Sequence, residues 1–267
     1  MKAIFFAFGL SSWRYIEYGF VLDSLQGTIS PITNRHKKFV LDIGCGYSIL
    51  PSLLKVMGFQ VCAVDTSKMA LKLQHDRSVQ VVRASAEKLP FRQKICDVVM
   101  AISVIEHVPG DGDIVTVVEL NKPLKDGGSL IISLPFGEKG SVETDLLWGV
   151  PSIFRKILKI IGIKDFIFRI FQFFKIERGE REGVLHRVYD SQEIDTRIIK
   201  SSRSVMKSKL YVSGSRWSQI IYKIIPMTLL SCVEYQLAKL MKIEQKFQDG
   251  LALRNRAIIL KFISAKK

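Results

Sequence analysis

The chain has 267 residues, of which 48% are apolar, and a formal net charge of +15. This length and apolar content suffice for a packed core and exclude a chain that is disordered over most of its length. No stretch reaches the roughly 18 to 20 uncharged apolar residues of a membrane-spanning helix, and the apolar run near the N-terminus is short for an export signal.

The cysteines and the distribution of charge indicate a reducing compartment and a basic second half. Cys45, Cys62, Cys96 and Cys232 are scattered, without the spacing of a metal site or a disulfide framework. We therefore expect no metal and a cytoplasmic location. Residues 136–267 carry 25 basic and 13 acidic side chains, against 15 and 12 in residues 1–135. Most of the surplus positive charge therefore lies after residue 135.

Residues 1–36 are predicted to form an N-terminal helical extension that packs on a sheet. Between residues 37 and 135, short runs rich in β-branched residues alternate with helical or loop segments. These runs are KFVLDIG, QVCAVD, VQVVRA, ICDVVMAIS and GSLIISLP. Strands that alternate with helices predict a mostly parallel sheet with helices on both faces, and such a sheet binds ligands at the carboxyl ends of its strands.

The run VLDIGCG, Val40–Gly46, predicts a buried strand that leads directly into a glycine turn, and Asp65 ends the next strand. Glycines let the backbone approach a ligand closely, and an acid after the second strand can accept from both hydroxyls of a ribose. A dinucleotide site would carry a third glycine where this chain has Ile49. The pattern therefore predicts a nucleoside site and disfavours NAD or FAD.

Residues 136–200 are predicted to form a basic helical insertion or lid. Its segment 151–176 places six basic residues and one acid among isoleucine, leucine and phenylalanine. This amphipathic pattern fits a lid with its lysines in water, a helix on an anionic membrane surface, or a nucleic-acid groove. Asp190 and Glu193 have the spacing of a capping box, which predicts a helix that begins there.

Residues 201–267 are predicted to complete the sheet with two C-terminal strands. The candidates are SVMKSKLYVSG and NRAIILKFIS, and residues 226–247 between them have a helical pattern. A hairpin formed by these two strands would add to the five earlier strands and give seven.

Five blocks between Lys38 and Pro135 resemble, in order, the class I S-adenosylmethionine-dependent methyltransferases of type 11, near the quinone-biosynthesis C-methyltransferases. They are VLDIGCG, VDTS at Val64–Ser67, ASAEKLPF at Ala84–Phe91, DVVMAISVIEHV at Asp97–Val108 and LKDGGSLIISLP at Leu124–Pro135. The resemblance implies a Rossmann-like seven-stranded sheet and S-adenosyl-L-methionine as the methyl donor. Two positions depart from the family pattern: Ser85 replaces an aspartate that contacts the adenine, and Asp126 replaces a proline.

The resemblance also implies the cofactor-binding residues. Gly44 and Gly46 would bring backbone amides to the methionine carboxylate, and Asp65 would accept from the ribose hydroxyls. Asp42 would meet the ammonium group or make a structural hydrogen bond, while Glu87 would belong to the adenine wall or be an ordinary exposed acid. The full set is Asp42, Ile43, Gly44, Cys45, Gly46, Asp65, Thr66, Ser85, Ala86, Glu87 and Ser103.

The residues near the acceptor leave more alternatives open. His107 fits a general base, since the reference pKa of histidine is about 6.5, but also fits a member of the cofactor pocket or a structural residue. The block HRVYD resembles an element that opens a late helix over the active site in related methyltransferases. His186 and Tyr189 are therefore candidate substrate-binding residues, with helix-entry packing as the alternative.

We predict a methyltransferase that transfers a methyl group to a small-molecule or lipid-like acceptor by in-line displacement. The alternatives are an NAD-dependent dehydrogenase and a non-catalytic protein that binds S-adenosylmethionine or a nucleotide. Methylation of nucleic-acid amino groups is disfavoured, because Ala101–Val104 lacks the N/D-P-P-Y/F element of such enzymes. The sequence leaves the acceptor, the oligomeric state and membrane association open.

Overall fold

An eight-stranded sheet lies at the centre of the structure, a computed structural model that describes residues 12–26, 38–137, 139–145, 184–202, 204–213, 242–244 and 256–264. Its strands are β1 (Phe39–Ile43), β2 (Gln60–Asp65), β3 (Gln80–Arg83), β4 (Cys96–Ile102), β5 (Leu124–Phe136), β8 (Ser204–Ser213), β9 (Lys242–Glu244) and β10 (Arg256–Ser264). A separate two-stranded sheet contains β6 (Ser141–Asp145) and β7 (Val184–Val188).

Helices flank the sheet and follow the predicted alternation. They are α1 (Ser12–Gln26), α2 (Leu50–Val56), α3 (Lys68–Asp76), α4 (Gly112–Asn121) and α5 (Ser191–Glu193), which continues as a π-helical segment, Ile194–Ile199; a 3-10 turn covers Ile105–His107. The Ser67 hydroxyl caps α3 by accepting from the Ala70 amide. Asp190 and Glu193 form the predicted capping box at the start of α5. Local capping therefore fixes where both helices begin.

The strand order is β3-β2-β1-β4-β5-β10-β8-β9. β2 and β3 are added on one side of β1, and the chain then crosses to the other side of β1 to form β4. β1 pairs in parallel with β2 on one side and with β4 on the other. The carboxyl ends of these strands therefore meet at one edge of the sheet, beside the point where ligands bind in sheets of this kind. The predicted mostly parallel, Rossmann-like sheet with helices on both faces is confirmed.

The two predicted C-terminal strands are present as β8 and β10, which pair antiparallel with each other. β10 also pairs antiparallel with β5 and thus joins the C-terminal hairpin to the parallel strands. The eighth strand, β9, lies within a stretch predicted to be helical, and that prediction is wrong for these three residues. They pair with Tyr211–Ser213 at the outer side of β8, where the backbone groups of an edge strand accept a partner.

The insertion predicted to be helical contains a pair of strands as well as the helix at its end, within its described parts. β6 and β7 pair antiparallel over five residues. Tyr189 then joins the end of β5, with its amide donating to Pro135 and its carbonyl accepting from Gly137. These bonds return the chain to the carboxyl edge of the sheet. The basic segment 151–176 lies outside the described residues.

The core fills both faces of the sheet because successive strand side chains point in opposite directions. On one face, Val40 of β1 packs in a cluster with Tyr18, Val21 and Leu25 of α1. On the other face, Leu41 and its neighbours pack with residues of α4 and the π-helical segment. The prediction that the N-terminal extension packs on the sheet is confirmed for α1. Of the described helices, none has the length and apolarity to cross a membrane.

Candidate functional site

The glycine turn after β1 is strained in a way that only glycine tolerates easily. Gly44 has a φ of +68° and Gly46 a φ of +47°. A Cβ at Gly44 would come within 2.4 Å of Val104 Cγ2, whereas a Cβ at Gly46 would meet nothing nearer than the Gly44 carbonyl oxygen at 4.0 Å. Gly44 is therefore required by packing against the turn after β4. Gly46 leaves open space on its exposed side, where a ligand could approach.

Asp65 at the end of β2 is fixed against this turn. Its Oδ2 accepts from the Gly46 amide at 2.8 Å, and its Oδ1 accepts from the Ser67 amide at 2.8 Å. The side chain is half-buried. A carboxylate has about four acceptor positions, so two such bonds leave capacity for the hydroxyls of a ribose while they hold the carboxylate in place.

The two amides predicted to meet an anionic ligand already donate within the chain. The Gly44 amide donates to the Val64 carbonyl at 2.8 Å, and the Gly46 amide donates to Asp65. The amide of Cys45 also donates to Val64, at 3.1 Å. The amides of Gly44 and Gly46, which the sequence assigned to the ligand carboxylate, therefore have acceptors within the chain in this structure.

Side chains from two helices hold the remainder of the turn. Gln74 of α3 donates from Nε2 to the carbonyls of Gly46 at 3.1 Å and Ser48 at 2.7 Å. Tyr18 of α1 shares a hydrogen bond of 2.6 Å with the Ser48 hydroxyl. Gln74 is completely buried and Tyr18 nearly so. Because its carbonyls are held from behind, the turn is preorganised before any ligand arrives.

Helix α1 lies over the carboxyl ends of β4 and β5 and supplies a charged pair that the motif analysis missed. Glu17 is 3% exposed, and its Oε1 accepts from the hydroxyls of Ser103 at 2.8 Å and Ser133 at 2.6 Å. Arg14 donates to Glu17 Oε2 at 3.0 Å and to the Ile102 carbonyl at 3.3 Å. Arg14 is therefore the cation that α1 brings to the strand ends.

Ser103, predicted to bind the cofactor, is held in an unfavourable backbone conformation. Its φ is +54°, which is uncommon for a residue with a side chain. The amide donates to the Ser133 hydroxyl at 2.9 Å, and the hydroxyl donates to Glu17. Such strain persists only where surrounding bonds determine the conformation, and it is frequent at functional sites.

Two further acids near this pair are buried. Asp42 on β1 is 3% exposed and Glu106 in the 3-10 turn is 1% exposed. Burial raises the pKa of Asp42 to about 8; Arg14 opposes this rise and Asp65 adds to it. Burial likewise raises the pKa of Glu106 to about 8, with a backbone hydrogen bond and Arg14 opposing the rise and Glu17 adding to it. A cationic ligand would favour the charged form of both acids.

The segment predicted to form the adenine wall lies directly after β3. The Glu87 amide donates to the Ser85 hydroxyl at 3.3 Å, and the Glu87 side chain is exposed. A Cβ at Gly112 would come within 2.6 Å of Glu87 Oε1, so the start of α4 lies beside this wall. The Ala84 amide donates to the Asp65 carbonyl at 3.2 Å, which joins the wall to the predicted ribose site.

The remaining predicted cofactor residues lie around the same edge. Ile43 and Cys45 are buried in the core, and burial raises the pKa of the Cys45 thiol. Thr66 is exposed, and its carbonyl accepts from Arg83 at 3.0 Å. Ile43 and Cys45 can therefore contribute to a pocket only through their backbone, while Thr66 is accessible from solvent.

The structure brings together two predicted residues that are far apart in sequence. The rings of His107 and His186 lie 5.6 Å apart between centroids, tilted by 41°. His107 Nε2 is 3.8 Å from Glu106 Oε1, and its side chain is 31% exposed. A partly exposed histidine beside a buried acid and a second histidine is suited to accept and pass a proton.

Tyr189 lies in a different environment from the one predicted. It is completely buried, and its hydroxyl donates to Asp113 Oδ2 at 3.1 Å. Its hydroxyl is thus committed to Asp113, which favours the packing alternative over substrate contact. Burial raises the pKa of Tyr189, and the charge of Asp113 adds to the rise.

Asp113 is the centre of a buried ion cluster between α4 and the insertion. Arg197 donates to both of its carboxylate oxygens at 2.7 Å, and Arg187 Nη1 lies 3.7 Å from Oδ2. Both arginines also donate to the Gly110 carbonyl. Burial disfavours ionisation, but hydrogen bonds from Arg197 and Ile114 and the charges of both arginines hold the pKa of Asp113 below its usual range.

The sequence analysis missed several residues of this site. Most of them lie outside the five motif blocks, and one occupies a position within a block that had no assigned role. They are Arg14, Glu17, Gln74, Glu106, Asp113, Arg187 and Arg197. The spacing of Arg14 and Glu17 along α1 was the only signal for that pair, and it is common on solvated helices. Within the described ranges, no group of three or more His, Cys, Asp or Glu residues could hold a metal.

Comparisons with known proteins agree with this geometry. Residues 41–132 match the family model described as a methyltransferase domain. A ubiquinone biosynthesis O-methyltransferase of Burkholderia orbicola is 39% identical over 85 residues, which cover 29% of this chain and 37% of that protein. The chain spans less than half the length of the curated relatives it matches. The predicted resemblance to type 11 methyltransferases is confirmed for this part of the chain.

Solved structures show the same fold at low sequence identity. An S-adenosylmethionine-dependent methyltransferase of Thermotoga maritima has a TM-score of 0.51 at 14% identity, covering 94% of this chain and 89% of its own. A Burkholderia thailandensis 1,6-didemethyltoxoflavin-N1-methyltransferase with bound S-adenosylhomocysteine has a TM-score of 0.50 at 12% identity, covering 85% and 71%. The dehydrogenase alternative receives no support from these comparisons.

Proposed function

We propose that this chain, whose residues 41–132 form a methyltransferase domain, is an S-adenosylmethionine-dependent methyltransferase. The observation that carries the proposal is the Asp65 carboxylate, fixed 2.8 Å from the Gly46 amide beside the open side of the glycine turn. An acid held at the end of β2, next to a turn with room for a ligand, suits a nucleoside whose ribose hydroxyls donate to it.

The charges around the turn fit the remainder of S-adenosylmethionine. In this proposal Arg14 binds the methionine carboxylate, since the Gly44 and Gly46 amides have other acceptors. Asp42, buried and within electrostatic reach of Arg14, takes the ammonium group. Residues 84–87 border the adenine. The donor would therefore extend from Arg14 and Asp42, past Asp65, to the segment after β3.

When bound, S-adenosylmethionine supplies a methyl group already activated by its sulfonium. Transfer breaks the bond between carbon and sulfur, forms a bond between carbon and the acceptor, and leaves S-adenosylhomocysteine. The acceptor loses a proton if it attacks as a hydroxyl. The chain must chiefly hold the two reactants in line, which can supply roughly 7 to 11 kcal/mol of the barrier.

Calorimetric titration tests the donor. S-adenosylhomocysteine should bind with a stoichiometry near one per chain, while NADH should give no heat beyond dilution. Absence of binding by S-adenosylhomocysteine, with the protein folded by circular dichroism, would refute the methyltransferase proposal. Tight binding by NADH would revive the dehydrogenase alternative.

For the acceptor we propose a hydroxyl group on a small molecule or lipid-like molecule of the quinone type. This follows the name of the matched relatives, which are O-methyltransferases of ubiquinone biosynthesis; the sequence resemblance had pointed nearer to C-methyltransferases. The partial exposure of His107 and its closeness to Glu106 and His186 support a role in accepting the hydroxyl proton. We therefore assign His107 the role of general base and His186 a place in the acceptor wall.

A panel of catechols with and without a prenyl tail, assayed with methyl-labelled donor, tests this acceptor class. We expect label in the ether product, and a loss of turnover of about 100-fold in His107→Ala with S-adenosylhomocysteine affinity unchanged. Label on a ring carbon would exclude O-methylation. Donor binding without turnover of any phenol in the panel would contradict this acceptor class.

We also propose that the basic segment 151–176 rests on an anionic membrane surface and thus gives a cytoplasmic protein access to a hydrophobic acceptor. Its support is the sequence pattern of lysine and arginine among phenylalanine and isoleucine. The protein should sediment with phosphatidylserine vesicles and remain soluble with phosphatidylcholine vesicles. A variant with Lys156, Lys159 and Lys164 changed to Glu should lose sedimentation; equal recovery with both vesicle types would disprove the membrane role.

A further inference from the structure

Glu106 is a buried acid without an assigned task. It is 1% exposed, and its Oε2 accepts no hydrogen bond from any described residue. A buried carboxylate oxygen without a partner carries the full cost of removal from water. Such an atom in a native site calls for an explanation, and a ligand group that reaches it only in the complex is one.

Negative charge exceeds positive charge around Glu106. Glu17 is paired with Arg14 and accepts two hydroxyls, so Arg14 already serves one acid. Asp42 and Glu106 both lie within electrostatic reach of the same guanidinium. Three carboxylates therefore share one arginine, and the site can accept additional positive charge.

The position of Glu106 relative to the glycine turn indicates which charge it meets. Val104, two residues before it, packs against Gly44, where an added Cβ would come within 2.4 Å of its side chain. Ser103 directly follows β4, which pairs in parallel with β1, the strand that carries Asp42. Glu106 therefore lies within electrostatic reach of Arg14, which is assigned to the amino-acid end of the donor, and its Oε1 lies 3.8 Å from Nε2 of His107, which is assigned to the acceptor.

We propose that Glu106 is the carboxylate that faces the sulfonium of S-adenosylmethionine, so that the site holds the charged donor more tightly than its uncharged product. This inference rests on the proposed methyltransferase function. Donor and product differ by one methyl group and one positive charge, at the sulfur. An acid beside the sulfur therefore attracts the donor and loses that attraction when the methyl group leaves, which promotes exchange of product for fresh donor.

Glu106→Gln is a suitable variant because the amide keeps the shape of the side chain and removes only its charge. Folding should persist, since a neutral amide costs less to bury than a carboxylate. Glu119→Gln is the matched control. Glu119 lies on α4, pairs with Lys122 and accepts from the Leu89 amide, and it is not among the charges that act on Arg14 or Asp42.

Dissociation constants for S-adenosylmethionine and S-adenosylhomocysteine are measured by calorimetry for the three proteins. We expect Glu106→Gln to weaken the donor about tenfold and the product less than about twofold, as for one charge pair in a partly screened site. Glu119→Gln should change neither. Equal weakening of both ligands, or no change in either, would overturn the role of Glu106. Failure of the unmodified protein to bind either ligand would instead overturn the proposed function.

The pH dependence of the preference for donor over product gives a second readout. The groups that face Glu106 are Arg14 and Glu17 on α1, Tyr189 after β7, and the neighbouring His107. Because burial raises the pKa of Glu106 to about 8, its charge is gained as the pH rises. The preference for donor over product should increase from pH 6 to pH 8 and stay flat in Glu106→Gln. A parallel increase in both proteins would exclude Glu106 as its source.

Discussion

The proposed donor side of the structure, residues 38–137, and the proposed acceptor side, residues 184–199, are held together by contacts of different range. On the donor side, Asp65 bonds to amides 2 and 19 residues away. On the acceptor side, Tyr189 and Arg197 bond to Asp113 across 76 and 84 residues. Parallel strands bring short motifs to one edge of the sheet, so the proposed donor side can be predicted from the sequence. The acceptor side depends on one buried ion cluster that no local pattern specifies.

The largest expected effect is on that cluster. Asp113→Ala should lower the free energy of unfolding by about 3 to 5 kcal/mol, because two arginines lose their buried counter-charge. The effect is measured by urea unfolding. Asp111→Ala is the control: Asp111 also pairs with Arg197, but its side chain is 79% exposed, and its loss should cost less than about 1 kcal/mol. Equal losses in the two variants would show that the acceptor side does not depend on the buried pair.

A second variant tests whether Asp65 contributes to binding on the proposed donor side. Asp65→Ala should weaken S-adenosylhomocysteine binding by about 1.5 to 3 kcal/mol, the range for hydrogen bonds to a charged group. Calorimetry measures it, and Asp76→Ala serves as the control, since Asp76 is an exposed acid at the end of α3. Unchanged affinity in Asp65→Ala would remove the acid from the donor site and weaken the contrast between the two sides.

The two glycines of the turn should respond differently. Gly44→Ala should lower the free energy of unfolding by about 2 kcal/mol, since it adds backbone strain and a contact of 2.4 Å with Val104. Gly46→Ala adds strain alone and should cost about 1 kcal/mol, but it should obstruct the ligand. Thermal unfolding and calorimetry separate these effects; stability losses of the same size would contradict the packing role of Gly44.

The last expected effect is a pH dependence of stability. Burial raises the pKa of Asp42 and Glu106 to about 8 in the folded chain. Their contribution is therefore fully present below the unfolded pKa near about 4 and is lost as the pH rises towards about 8. The free energy of unfolding should therefore fall as the pH rises from 5 to 8. Asp42→Asn should reduce this fall; an unchanged slope would show that Asp42 does not titrate in this range.

Most of the fold was predictable because the local pattern of apolar and polar residues indicates where strands and helices form. Buried runs such as KFVLDIG and QVCAVD became β1 and β2, and the spacing of Asp190 and Glu193 marked the start of α5. The prediction erred at Lys242–Glu244, where a helical pattern gave way to pairing with the edge of β8. For these three residues, hydrogen bonding to the free edge of β8 outweighs the intrinsic preference for a helix.

The site was predictable where consecutive strand ends compose it. Asp42, Gly44 and Asp65 follow from the motif, and the structure places them at one edge. The amides of the turn were assigned to a ligand, but Val64 and Asp65 accept from them. Backbone donors in a tight turn find partners inside the protein whenever the geometry allows, and a motif does not reveal that geometry.

The sequence by itself determined the strand and glycine pattern and the acid after β2, because these features lie within a few tens of residues of one another. The resemblance of five blocks to type 11 methyltransferases then indicated the kind of donor. Only the tertiary structure decided that Glu17 meets Ser133 across 116 residues, that His107 lies beside His186, and that Asp113 joins two arginines. Such contacts arise from the order of strands and the path of the chain between them. They set the positions of the charged side chains, on which the proposed roles of Arg14 and Glu106 depend.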